Sequence, residues 1–465
     1  MTTVRVVNVV AAEDSNETIR NWEPLIAVNP SNPAQIVITA DTPPPNNAGY
    51  WYSYDGGATW QKNFSEPGEM LEESTAFGAS GELYWEMALD EADPTVRLFR
   101  TPSLTAPGPL SEIDTPRVGV DQPYLHAFTF PGSAYPGQDR LYAGYIVHDD
   151  GIGLAAATVD VSMNGLASLP GFTPVQLDFR SAVPKNGYEV RPAAGGNGEV
   201  YVAYKHWRSF NQRTKTVMAD IVVARDNIWG QNGFTDLKDT DGFPGMRVVQ
   251  NIRILEDQNL GSQRLNNDLS IAVDPNNSAI VYIVWGDNQS ANYTLRVRRS
   301  TTFGASWSGD LLTVPDANLA CLAINSDGKV GFMYQKLVSG AWETHFQRTT
   351  DASGLNWDDL LLASTPLAAP APEGVADYSR LISVGMNFYG AFPAVNTPDP
   401  ANFPATPPTA GNPNGAVFFR HTSTVAPWQL LGTAGQVIAP SVDPFFFVVQ
   451  DDEPIPPTGL SASVS

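Results

Sequence analysis

The sequence predicts an all-β protein built from a repeated four-strand unit. Three observations carry this. Its 465 residues hold 39 Gly and 38 Pro, spread along the chain, a density that cuts long helices short. A strand–turn–strand phrase recurs at separated positions. A distinctive turn motif follows some copies of that phrase.

The recurring phrase is clearest at residues 25–41 and 269–285. Each copy is a short apolar strand, an Asn/Asp-Pro turn and a second β-branched strand, which by turn chemistry is a hairpin. Residues 190–204, 319–334, 124–147 and 381–394 follow the same grammar, and 76–88 is a degraded copy. After each hairpin the chain has room for two further strands. Third and fourth strands are expected to meet at the turn motif, complete in Ser53-Tyr54-Asp55-Gly56-Gly57-Ala58-Thr59-Trp60. Ser300, Gly304, Ser306 and Trp307 share its frame, and Asp351, Gly354 and Trp357 share it with one extra residue. The chemistry is local: Asp accepts hydrogen bonds from its own turn, Gly supplies a positive φ, and Trp packs between sheets. Ser53, Asp55, Gly57, Trp60, Gly304, Trp307, Asp351 and Trp357 are therefore read as structural.

These motifs resemble the Asp-box (BNR) repeat proteins of the sialidase-like β-propeller superfamily, over roughly residues 17–419. The resemblance implies a β-propeller, four-stranded antiparallel sheets set around a channel, and the spacing of inner-strand starts predicts seven blades, with six as the alternative. Inner strands are expected to begin near Glu23, Asp121, Glu189, Asn267 and Asp377, with two intervals wide enough for an additional blade. The run of residues 4–10 is read as the outer strand of the last blade, closing the ring and burying sheet edges. The propeller is assigned to residues 1–450. Residues 451–465 form an acidic, proline-rich tail, part of which resembles the first strand of a fibronectin type III module. On that reading the chain is a piece of a larger modular, extracellular or surface-associated protein, although no signal peptide is visible.

Composition narrows the partners. A net charge of −22 repels phosphate backbones and anionic membranes, so neither nucleic acid nor membrane insertion is expected. The one cysteine, Cys321, sits in an apolar run and reads as core. No phosphate loop, paired zinc ligands or Gly-x-Ser-x-Gly elbow occurs. No cofactor is required. A structural Ca²⁺ on Asp239 and Asp241 is a further expectation, although the EF-hand Glu at position twelve is missing.

By analogy with propellers, the ligand face gathers the starts of inner strands and the loops after second strands. It would present Asp121, Glu189, Arg191, Asp268, Asp377, Tyr378 and Arg380 with His148, Asp149, His206, Trp207, Trp285 and Asp287. Carboxylates, arginines and aromatics together suit sugars, whose rings stack while hydroxyls are bonded. The alternative reading is that strand-start polar groups simply tie blades together. In sialidases three Arg clamp the substrate carboxylate, a Tyr/Glu pair supplies the nucleophile and an Asp is the acid/base. Arg191, Arg264 and Arg380, with Tyr378 and Glu189, are the residues to carry such roles, but the usual Arg-Ile-Pro is replaced by Ile19-Arg20-Asn21. Asp121, Glu189 and Asp377 are the carboxylates for a two-carboxylate glycosidase. The expected function is recognition of a glycan or cell-surface protein without catalysis. The alternatives are an exo-acting glycoside hydrolase and a structural component of a surface or virion assembly.

Overall fold

The computed structural model describes residues 2–41, 48–66, 72–88, 95–104, 111–118, 120–129, 137–147, 157–180, 189–255, 268–290, 292–351, 353–366, 379–406 and 417–451. Their strands form seven four-stranded antiparallel sheets and one short hairpin. Blade 1 runs from the inner strand Trp22–Val28 through Ile36–Asp41 and Ala48–Ser53 to the outer strand Gln61–Glu66. The inner strands of blades 2 to 7 are Glu72–Phe77, Val120–Thr129, Val190–Ala194, Leu269–Asp274, Ala317–Ile324 and Arg380–Val384. Each inner strand packs against the next, and the seventh returns to the first. The ring is a seven-bladed β-propeller, and the two wide intervals hold blades 2 and 6.

Hairpin turns explain the recurring phrase. Asn29 Oδ1 accepts from Ser31 N (2.9 Å), Asp274 Oδ1 from Asn276 N (2.8 Å) and Asn325 Oδ1 from Asp327 N (3.0 Å). An Asx side chain thus closes the turn between first and second strands in three blades. Between blades the sheets bury Trp51, Trp85 and Trp285 completely. Truncating one such ring costs about 3–5 kcal/mol.

The last blade draws on both ends of the described chain. Thr2–Asn8 pairs antiparallel with Val442–Asp451, which pairs with Asn387–Val395. An insertion between the second and third strands of this blade docks on the closure. Arg420, fully buried, pairs with Asp443 at 2.9 Å, and Asp443 also accepts from Asn8 at 2.7 Å. Among the described residues, no helix is long and apolar enough to cross a membrane.

Candidate functional site

The channel has two distinct levels, and the first lies at the inner-strand starts. In blades 1, 3 and 6 the inner strand carries one extra residue there, opposite its second strand. The bulged backbone passes through positive φ at Glu23 (53°), Gln122 (47°) and Leu319 (61°). Such a conformation costs a non-glycine residue on the order of 1 kcal/mol. It turns backbone groups outward, and side chains of the preceding blade take them up. Ser379 Oγ donates to Pro24 O (3.0 Å), Ser74 Oγ accepts from Leu125 N (2.8 Å) and Asp268 Oδ1 accepts from Ala320 N (3.0 Å). The bulges are thus joints between blades.

Charged groups at this level are consumed in the same way. Glu189 is 1% exposed and lies 2.8 Å from Arg191 and 2.9 Å from Lys205. Asp268 accepts from the Tyr293 hydroxyl at 2.7 Å, and burial pushes its carboxyl up to about 6 against that hydrogen bond. Burial likewise raises Glu73, which accepts from Trp85 Nε1 at 3.0 Å. It raises Glu86 to about 8, although Tyr145 donates to it at 2.9 Å. Arg191 of blade 4 and Arg380 of blade 7 both stack on the Tyr124 ring of blade 3, at 4.6 and 4.8 Å from its centroid. Four of the residues expected to act together, Glu189, Arg191, Asp268 and Arg380, therefore do meet. They meet buried and paired, as the blade-tying alternative requires.

The second level lies beyond Tyr124, toward the turns that join first and second strands. Here the channel widens into a cavity of about 640 Å³ lined by all seven inner strands. Phe77, Tyr124, His126 and Phe128 form an aromatic arc from blades 2 and 3. Aliphatic residues of blades 5, 6 and 7 stand across from it, including Ile271, Leu322, Ile324 and Leu381. Among the described residues, Arg380 contributes the one ionic group of the lining, and no carboxylate lines it. His126 Nε2 accepts from Ala194 N at 3.2 Å, and burial, with the Arg380 charge, lowers its pKa to about 3. The imidazole is a neutral joint between blades 3 and 4. Asn197 and Ser326, both exposed, stand at the rim. The open cavity is thus at the opposite end of the inner strands from the face expected to bind.

Other expected residues take different places. Trp207 (2% exposed) and Trp285 (0%) are core, so neither ring is available for stacking on a sugar. Trp285 Nε1 donates to Asp287 at 2.8 Å, and Asp287 also pairs with Arg296 at 3.0 Å. These residues sit within second strands that continue past the point at which loops were expected, namely Val200–Asn211 and Asn277–Asp287. His206 faces Asp178. Asp239 and Asp241 face Arg247 and Arg180, so a cation there would have to displace two guanidiniums. Asp121 lies on the inner strand of blade 3, its side chain outside the described residues, as are His148, Asp149, Asp377 and Tyr378.

The outer turns are closed on themselves. Ser53 Oγ accepts from Gly57 N (2.8 Å), Asp55 Oδ1 from Thr59 N (2.8 Å), and Trp60 Nε1 donates to Gly57 O (3.2 Å). Gly57 has φ of +82°, and a Cβ there would collide with the Phe446 ring of blade 7. Ser300, Thr302, Gly304, Ser306 and Trp307 repeat this bond for bond, with Thr302 Oγ1 accepting from Ser306 N at 2.9 Å. The Asp351 turn departs: Asp351 Oδ1 accepts from Ser353 N at 2.7 Å. A fourth such turn lies outside the motif's letters. Asp226 Oδ1 accepts from Ile228 N and Gly230 N, both at 2.8 Å, and Oδ2 from Asn232 N at 2.5 Å. The Asp-x-x-x-Gly spacing was the signal available.

No protein-family model matches the chain, and no curated protein matches it. Solved structures similar to it include the phage phi92 endosialidase (10% identity, 99% of this chain and 71% of that one, TM-score 0.44). An ulvan lyase, described as a polysaccharide lyase, is similar at 9% identity over 81% of this chain and 92% of its own, with TM-score 0.47. An α-L-arabinanase of Penicillium chrysogenum, complexed with arabinobiose, is similar at 13% identity over 70% and 88%, with TM-score 0.38.

Proposed function

We propose that the protein is a recognition propeller of the Asp-box, sialidase-like type, holding a glycan or surface partner at its channel mouth without cleaving it. One observation carries this reading: among the described residues, the 640 Å³ cavity has no carboxylate in its lining. Most glycoside hydrolases place a general acid and a second carboxylate about the scissile bond, and sialidases keep a carboxylate as acid/base beside their Tyr nucleophile. Glu189 and Asp268, at the inner-strand starts of blades 4 and 5, are instead engaged with Arg191, Lys205, Tyr293 and a backbone amide. What the cavity offers is an aromatic arc for a sugar ring or apolar side chain, and rim groups at Asn197 and Ser326 for hydrogen bonds.

A glycan array probed with the whole chain, paired with a panel of aryl glycosides, tests this. Saturable binding without product release is expected. Ser326→Trp, at the exposed rim, should weaken binding by about tenfold while leaving the melting temperature unchanged. Product release from any glycoside, or binding indifferent to Ser326→Trp, would overturn the reading.

A further inference from the structure

A second cavity, about 310 Å³, lies away from the channel in the groove between blades 3 and 4. Arg180, His206, Arg208, Asp220, Asp241 and Arg247 line it. In a chain with 27 basic residues, three arginines around one small cavity need an account. Arg180 is spent on the wall: it donates to Asp241, Pro244 O and Gly245 O. The other two are only partly used. Arg208, with its side chain 44% exposed, binds Asp220 through Nη1 at 3.2 Å, leaving Nε and Nη2 unpaired among the described residues. Arg247 binds Asp239 through Nε at 2.5 Å and Asp241 through Nη2 at 3.2 Å, leaving Nη1 without a partner among the described residues.

The imidazole supplies the opposite polarity. His206 is 5% exposed, and its Nδ1 lies 2.6 Å from Asp178 Oδ2. A carboxylate at Nδ1 holds a proton on that nitrogen, and in the neutral ring Nε2 then presents a lone pair. Nε2 has no protein partner among the described residues. A buried, oriented acceptor therefore lines the same cavity as unpaired guanidinium donors.

Charge selects among ligands. Four carboxylates, Asp178, Asp220, Asp239 and Asp241, stand against three guanidiniums, so no net positive field holds a compact dianion. A ligand that uses both polarities gains from both kinds of group: a carboxylate for Arg208 and Arg247, and a hydroxyl for His206 Nε2. We infer that this pocket binds a small hydroxylated carboxylate, of the size of one uronic acid. The site is separate from the channel mouth, and its occupancy is independent of what the mouth binds.

Calorimetric titration of the full chain with D-glucuronate, D-glucose and sodium sulfate tests this. Glucuronate should saturate one site per chain, with glucose and sulfate each about tenfold weaker or more. Arg208→Ala should weaken glucuronate about tenfold; because it also removes a partner of the buried Asp220, circular dichroism at the titration temperature is read beside it to show that the chain stays folded. Failure of glucuronate to saturate at millimolar concentration would overturn the inference. So would sulfate binding as tightly as glucuronate, or indifference to Arg208→Ala. A blank glycan array with intact glucuronate binding would count against the mouth alone.

Discussion

The same seven strands carry charge at their starts and apolar groups toward their ends. At the starts, Glu189, Arg191 and Asp268 are sealed and paired, Glu189 also with Lys205 of the adjoining strand, and bulges at Glu23, Gln122 and Leu319 present backbone to neighbouring blades. Toward the ends, Phe77, Phe128, Leu322 and Ile382 border open space. The contrast teaches that polar side chains aimed at a propeller axis are not thereby a ligand site. Buried, they must find partners, and the nearest are the next blade's backbone and charges. Strength is concentrated at one level of the channel and room at the other.

That division can be broken most forcefully by Glu189→Gln. It would strand Lys205 and Arg191 in the interior, and an expected loss of about 3–5 kcal/mol should appear in urea unfolding. A loss below about 1 kcal/mol would mean that the charged level does not hold the ring. Acidity tests the same level less drastically. Burial lifts Glu86 from the ordinary 4.5 to about 8 and Asp268 from 3.8 to about 6. The folded state then binds more protons than the unfolded one across that window, so stability should fall as pH rises from about 4.5 to about 8. Glu86→Gln should flatten the fall, and a midpoint constant over this range in the unaltered protein would contradict the assignment. The smallest effect is expected far from the channel. Thr302→Asp would restore the second acceptor that Asp55 offers to Thr59 Oγ1 at 2.6 Å. It should gain at most about 1 kcal/mol and leave ligand binding at the mouth untouched; altered binding would link the outer turns to the channel.

Much of the architecture could be read before any coordinates. Asx-Pro hairpins and the Ser-x-Asp-x-Gly-x-Thr-Trp turn are local devices, complete within a few residues, so their letters suffice. Even the degraded hairpin at 76–88 proved a true blade. The site was harder because it depends on pairing across the ring. Trp207 and Trp285 fall after apolar runs and look like loop aromatics, but their strands continue and bury them. The three bulges leave no letter pattern, since an extra residue exists only relative to a partner strand. Asp226 hides the fourth turn by doing alone what Ser53 and Asp55 do together.

Ring closure has a consequence for how the chain is made. Thr2 pairs with Asp451, and the strand between Asn387–Val395 and Thr2–Asn8 is Val442–Asp451. A ribosome must therefore deliver nearly all of the described chain before the first strand meets its partner. Until then the nascent arc displays two open sheet edges, the condition under which a chaperone has something to shield.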